Sequence, residues 1–110
     1  MTTMRQEKRL ACNAEVSEKA IEKYLAKLVK EAGGLCLKYT NANETGYPDR
    51  LLLFPDGNAG WVEVKSAGRK PTALQSARMC KLWGMGFPVW VCDSRQKAEE
   101  IVEYMKELMP

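Results

Sequence analysis

The chain has 110 residues, of which 45% are hydrophobic and 28% charged, and its formal net charge is +3. This length favours one domain with one core. Histidine is absent, which excludes imidazole-based catalysts such as Ser-His triads and histidine-ligated metal nucleases. The small positive excess is compatible with a polyanionic partner but does not require one.

Targeting segments and disulfides are not indicated. No run of about 18 apolar residues is present, and the N-terminal residues lack the apolar stretch of a secretory signal. We therefore expect a cytoplasmic protein with no membrane association. The four cysteines form no C-x-x-C pair, which argues against a zinc ribbon and favours reduced, core-type thiols; they are Cys12, Cys36, Cys80 and Cys92.

The first predicted element is an amphipathic helix. Residues 1–14 are polar and are interpreted as an N-terminal extension, followed by a single domain over residues 15–110. The helix is predicted over about residues 15–32, because Ser17 is a suitable N-cap and Gly33 supplies the stop. Its apolar residues recur at helical spacing.

Strands and two more helices follow. Strands are predicted over 35–39, 50–54, 60–65 and 87–92, with a loop at 40–47 and a tight turn at 55–58. Thr72 caps a helix that ends near Gly84 or Gly86, and Asp93 or Ser94 caps the last one. The order α-β-β-β-α-β-α predicts a small α/β sheet flanked by helices, with both faces covered.

The third strand carries two charges where a buried strand is expected. Side chains alternate across a strand, so Glu63 and Lys65 share one face. Burial of these charges would cost several kcal/mol of folding free energy unless each charge is paired or takes part in binding or catalysis. Taken alone, the E-x-K pattern is typical of an ion pair at a strand end.

Two further carboxylates change that interpretation. Asp49 opens the strand that pairs with the Glu63 strand through the turn, so both carboxylates should lie at one end of the sheet. Glu18 lies near the apolar stripe of the first helix. Carboxylates that converge beside a lysine form an oxygen-rich site that suits Mg²⁺ or Mn²⁺ better than zinc.

These residues resemble a known motif. Pro48-Asp49 followed by Glu63-x-Lys65 resembles the PD-(D/E)-x-K phosphodiesterase superfamily. The ordered set of Glu18, Gly33-Gly34, Gly46-Tyr47-Pro48-Asp49-Arg50, Pro55 to Gly57, Val62 to Lys65 and Leu74-Gln75 is similar to the VRR-NUC domain, the virus-type replication and repair nuclease. The likeness covers about residues 17–105. Tyr47 departs from it, because the family has a small aliphatic residue there.

The resemblance implies a fold and a mechanism. It implies a restriction-endonuclease-like fold in which Asp49, Glu63 and the main-chain carbonyl of Val64 bind a divalent metal. Glu18 would bind the metal directly or through water. Lys65 would orient the attacking water and stabilise negative charge in the transition state.

Gln75 and several basic residues have two interpretations. Thr72-x-x-Gln75 is a capping box, whereas the family places this glutamine beside the active site, and both roles are compatible. Five basic residues are candidates for DNA-backbone contacts, and a solvated surface is the alternative for each; they are Arg50, Arg69, Lys70, Arg78 and Lys81. Glu22 is interpreted as a solvated flank of the first helix.

The preferred hypothesis is a metal-dependent endonuclease that cleaves branched DNA such as Holliday junctions. Stand-alone chains of this size resemble phage members, which act as homodimers, and the apolar stripes of the second and third helices are candidate interfaces. Three alternatives remain: a non-catalytic DNA-binding accessory domain, a sequence-specific restriction-type enzyme, and a structural domain with a surface ion pair. A complete catalytic set argues against the first, and lack of room for a recognition domain argues against the second.

Overall fold

The structure is a computed structural model that describes residues 17–108. The predicted extension over residues 1–14 and Cys12 lie outside the described residues. The elements in chain order are α1 (Glu18–Glu31), β1 (Leu35–Lys38), β2 (Arg50–Leu53), a 3₁₀ turn (Pro55–Gly57), β3 (Ala59–Val64), α2 (Ala73–Gly84), β4 (Val89–Cys92) and α3 (Arg95–Glu107). The predicted order of helices and strands is confirmed.

Each helix begins at a side-chain cap that the sequence predicts. Ser17 accepts a hydrogen bond from the backbone N–H of Ala20, and Thr72 accepts one from the N–H of Gln75. Ser94 caps α3 by accepting from the N–H of Lys97. These contacts satisfy donors that the first helical turn leaves without partners.

The four strands form one sheet in the order β1-β2-β3-β4. The first three strands are antiparallel neighbours, and β4 is parallel to β3. The parallel pair requires a crossover, which α2 supplies. In the β2–β3 register, Arg50 lies opposite Val62, so the next residues along, Asp49 and Glu63, meet at the same end of the sheet.

The core lies on the sheet face that α1 and α3 cover. It contains Leu52, Val62, Val64 and Cys92 from the sheet, Ile21, Leu25 and Val29 from α1, and Ala98, Ile101, Val102 and Met105 from α3. Gly60 permits this close packing, because a Cβ there would lie 2.9 Å from the Trp90 side chain and 3.3 Å from Met105 Sδ. The apolar stripe of α3 therefore belongs to this core, which corrects its prediction as an interface.

The opposite face of the sheet is only partly covered. The helix α2 packs against β4, at one side of the sheet. On β1, at the other side, Leu35 is 58% exposed and Leu37 is 42% exposed. Among residues 17–108, the expectation that helices cover both faces is therefore wrong for this part of the sheet, because these residues place one helix on that face.

The helix α2 itself is mostly exposed. Leu82 is buried, whereas Leu74 and Trp83 are 47% and 65% exposed. Cys80 is also exposed, which corrects its prediction as a core thiol, while Cys92 is buried and Cys36 half-buried. No helix within residues 17–108 is long and apolar enough to cross a bilayer.

Candidate active site

Asp49 and Glu63 meet where β2 begins and β3 ends. A carboxylate oxygen of Asp49 accepts a 3.0 Å hydrogen bond from the backbone N–H of Val64. The backbone carbonyl of Asp49 accepts a second bond, from the N–H of Tyr39, at 2.8 Å. Asp49 is thus fixed between β1 and β3. Metal binding by the Val64 carbonyl stays a prediction.

Three carboxylates converge at this end of the sheet. One oxygen from each of Glu18, Asp49 and Glu63 lies within 4.8 Å of the other two. Glu18 reaches the cluster from the first turn of α1, where it is exposed, whereas Asp49 is half-buried and Glu63 is 5% exposed. The sequence prediction that residues 18, 49 and 63 come together agrees with this arrangement.

Burial and mutual repulsion raise the pKa values of two of these carboxylates. Desolvation, reinforced by the nearby charge of Asp49, raises the pKa of Glu63 to about 7. Desolvation also raises the pKa of Asp49, although the hydrogen bond from Val64 opposes the effect. The cluster is therefore costly to ionise fully in the absence of a cation.

Lys65 and Gln75 both contact Glu63. The ammonium Nζ of Lys65 lies 3.6 Å from Glu63 Oε2, and its side chain is 18% exposed. The amide Nε2 of Gln75 donates to the same oxygen at 3.4 Å, while its Oε1 accepts from the backbone N–H of Thr72 at 2.9 Å. Gln75 thus makes both predicted contacts: it completes the capping box of α2, and it lies beside Glu63 in the carboxylate cluster.

Arg50 lies on the helix-covered side of the sheet. Its guanidinium forms an ion pair with Glu22 of α1, and the two side chains are 14% and 29% exposed. Glu22 is therefore not the solvated flank that the sequence suggests. DNA binding by Arg50 stays a prediction, and it would require the guanidinium to leave this ion pair.

The other predicted DNA-binding residues lie nearer the surface. Arg69 and Lys70 are exposed in the loop after β3, and Lys81 is exposed on α2. Arg78 is half-buried, and its Nε donates to the backbone carbonyl of Thr45 at 3.1 Å. Phosphate binding by these four residues stays a prediction.

An aromatic cluster supports the loop before Asp49. Arg78 places its guanidinium carbon 4.8 Å from the centre of the Tyr47 ring. Tyr39 meets Tyr47 edge-on at 6.3 Å between ring centres and meets Trp61 at 5.1 Å. Tyr47, the residue that departs from the family pattern, thus packs into a cation–π and aromatic arrangement.

The donor set fits a hard divalent cation. Mg²⁺ prefers carboxylate and carbonyl oxygens at about 2.1 Å, so its ligand oxygens lie roughly 3 to 4 Å apart. The three carboxylate oxygens lie within 4.8 Å of one another, and the exposed Glu18 side chain has room to move towards that spacing. A cation there would also offset the desolvation and the repulsion from Asp49 that together raise the pKa of Glu63.

Comparison with known proteins decides the family. No family model matches the chain. However, 80 residues are 38% identical to a curated protein named "Putative nuclease p44" of Acyrthosiphon pisum secondary endosymbiont phage 1, across 73% of this chain and 86% of the relative. A solved structure described as a VRR_NUC domain superposes with a TM-score of 0.75 and 28% identity, across 79% of this chain and 95% of that one. The chain belongs to the VRR-NUC domain family.

One contact of this VRR-NUC domain is not predicted from the sequence. The pairing of Glu22 with Arg50 was missed, although strand alternation contains part of the signal. Asp49 lies on one face at the start of β2, so the next residue must point to the opposite, helix-covered face. A charged residue that points towards a helix predicts a partner of opposite charge on that helix.

Proposed function

We propose that this VRR-NUC protein is a nuclease that hydrolyses DNA phosphodiester bonds with Mg²⁺ or Mn²⁺. The observation that supports the proposal most directly is the convergence of Glu18, Asp49 and Glu63 beside Lys65. The phage relative that is named a nuclease supports the same activity. The cleavage would take place inside a bacterial cell, in keeping with a phage-type protein.

Each site residue has a distinct task in this proposal. Asp49, Glu63 and Glu18 would hold the cation, which supplies Lewis-acid polarisation of the scissile phosphate when bound. The hydrogen bond from Val64 fixes Asp49, and the amide of Gln75 orients Glu63. Lys65 would orient the attacking water and stabilise negative charge that develops on the phosphate oxygens.

We further propose branched DNA, including Holliday junctions, as the substrate of a homodimer. The exposed basic residues of the loop after β3 and of α2 extend from the site and would contact phosphates without reading bases. The open apolar surface at the C-terminal end of α2 and its C-cap, with Trp83 65% and Met85 63% exposed, is the interface that we favour. A pair of sites in one dimer suits a substrate with two equivalent strands.

The test is a cleavage assay on junction, flap and linear duplex DNA with Mg²⁺ or Mn²⁺. We expect cleavage of the junction, and we expect Asp49→Asn and Lys65→Ala each to lower the rate by about 100-fold or more. Lys27→Ala, which changes an exposed residue of α1, is the matched control and should retain full activity.

Three results would change the conclusion. Intact substrate at every metal and pH would contradict the nuclease proposal. Binding of DNA without metal-dependent cleavage would favour the non-catalytic accessory domain. Cleavage of linear duplex at one defined sequence would favour the restriction-type alternative.

A further inference from the structure

We propose that the ion pair between Glu22 and Arg50 is a positioning device for the carboxylate cluster. In this inference the pair fixes the rotation and height of α1 relative to the sheet, so that Glu18 reaches Asp49 and Glu63. Neither residue would touch the metal or the substrate. The inference rests on the proposed metal-dependent function.

Glu22 and Arg50 belong to the two segments that carry proposed metal ligands, α1 and the start of β2. Glu22 follows Glu18 by four residues in α1, so the two side chains lie on the same helix face one turn apart. Arg50 follows Asp49 directly at the start of β2. The contact between Glu22 and Arg50 therefore constrains the distance between Glu18 and Asp49.

Other contacts of α1 constrain this distance less well. The helix packs on the sheet through Ile21, Leu25 and Val29, and apolar packing is non-directional. The hydroxyl of Tyr24 donates a hydrogen bond to Glu99 at 2.6 Å, but this contact ties α1 to α3 and not to the strand that follows Asp49. Glu18 is exposed and forms no ion pair within residues 17–108. The ion pair of Glu22 with Arg50 is a directional contact between α1 and β2, and it would hold the Glu18 carboxylate near Asp49.

The environment of the pair makes its loss costly. The Arg50 side chain is 14% exposed and the Glu22 side chain 29%, whereas the other α1 pair, Lys27 and Glu31, is 68% and 60% exposed at 4.0 Å. Removal of one partner from a mostly buried pair leaves an uncompensated charge. The helix would shift to solvate that charge, and Glu18 would move with it.

The experiment measures Mn²⁺ binding to the full chain by calorimetry in wild type and in Glu22→Gln. We expect the variant to raise the Kd for Mn²⁺ by about 10-fold, the lower end of the effect of removing a residue that orients metal ligands. The metal concentration for half-maximal cleavage should rise by the same factor, while the rate at saturating metal should return close to that of wild type.

Two further variants separate positioning from stability. Glu22→Asp keeps the charge, so its Kd should lie between those of wild type and Glu22→Gln; it also serves if Glu22→Gln does not fold. Glu31→Gln removes the exposed pair of the same helix and should leave the Kd unchanged. Thermal melting in chelator reports the stability of each variant without metal.

The outcomes distinguish this inference from the proposed function. Wild-type protein that binds no Mn²⁺ would overturn both. Wild-type binding together with an unchanged Kd in Glu22→Gln, even with a lower melting temperature, would overturn the inference alone and leave the nuclease proposal intact. Weaker DNA binding in Arg50→Gln at unchanged Mn²⁺ affinity would instead identify Arg50 as a phosphate contact.

Discussion

Glu63 is the residue on which burial and charge act most strongly. It is 5% exposed, yet it lies beside Asp49 and within the reach of Lys65 and Gln75. A carboxylate in this setting is stabilised in its protonated form when no cation is present. The same burial that makes ionisation costly would make the ionised group a strong ligand for a metal.

A pH dependence of stability follows for the metal-free protein. The pKa of Glu63 is about 7 in the folded chain, raised by desolvation from the ordinary value of 4.5. The protonated group therefore contributes stability that is fully present below about pH 4.5 and is lost as the pH rises through 7. The raised pKa of Asp49 acts in the same direction.

Glu63→Gln isolates this effect because glutamine stays neutral at every pH. In chelator, we expect the melting temperature of the variant, relative to wild type, to rise progressively between pH 5 and pH 8. Thermal melts by circular dichroism at four pH values measure the difference. A difference that does not change with pH would show that Glu63 titrates normally.

At the scale of the elements, α2 and the loop before Asp49 form one unit. Arg78 donates to the carbonyl of Thr45 and lies over the ring of Tyr47. A Cβ at Gly46 would lie 2.7 Å from the side chain of Leu74, and the φ of Gly46 is +93°. The loop therefore fits tightly against the helix that carries Gln75.

Arg78→Gln tests this connection. Loss of the cation–π contact and of the hydrogen bond should lower the free energy of unfolding by about 1–2 kcal/mol, measured by urea denaturation. Lys81→Gln, on the same helix and without an ion pair among the described residues, should change it little. If Arg78 instead serves only to bind phosphate, stability would stay the same and the salt dependence of DNA binding would weaken.

The sequence predicts more of the local structure than of the contacts between elements. Alternation places Glu63 and Lys65 on one face, and the hairpin turn brings Asp49 to the same end, so these neighbours follow from periodicity. The ion pair of Glu22 with Arg50 depends on how α1 lies across the sheet. That orientation is set by tertiary packing, which no local pattern specifies.

At the scale of the whole molecule, the exposed apolar residues predict where a second copy would bind. Trp83 is 65% exposed on α2 and Leu37 is 42% exposed on β1, so two separate surfaces are available. We favour α2 because its predicted apolar positions other than Leu82 are exposed. Large exposed apolar surfaces are typical of interaction sites.

Trp83→Glu and Leu37→Glu distinguish the two surfaces. We expect wild type to sediment as a dimer at micromolar concentration, Trp83→Glu as a monomer, and Leu37→Glu as a dimer. Both changes replace an exposed apolar residue with a charge, so each controls for the other. A monomer in Leu37→Glu and a dimer in Trp83→Glu would place the interface on the open sheet face.

The scarcity of buried residues in α2 has a consequence for regulation. Within the described chain, Leu82 is the buried residue of this 12-residue helix, so the helix should open locally at a small fraction of the global unfolding free energy. Opening would carry the Gln75 amide away from Glu63 while the core stays intact. If a second protomer covers α2, association would suppress that fluctuation, and dilution alone would attenuate turnover.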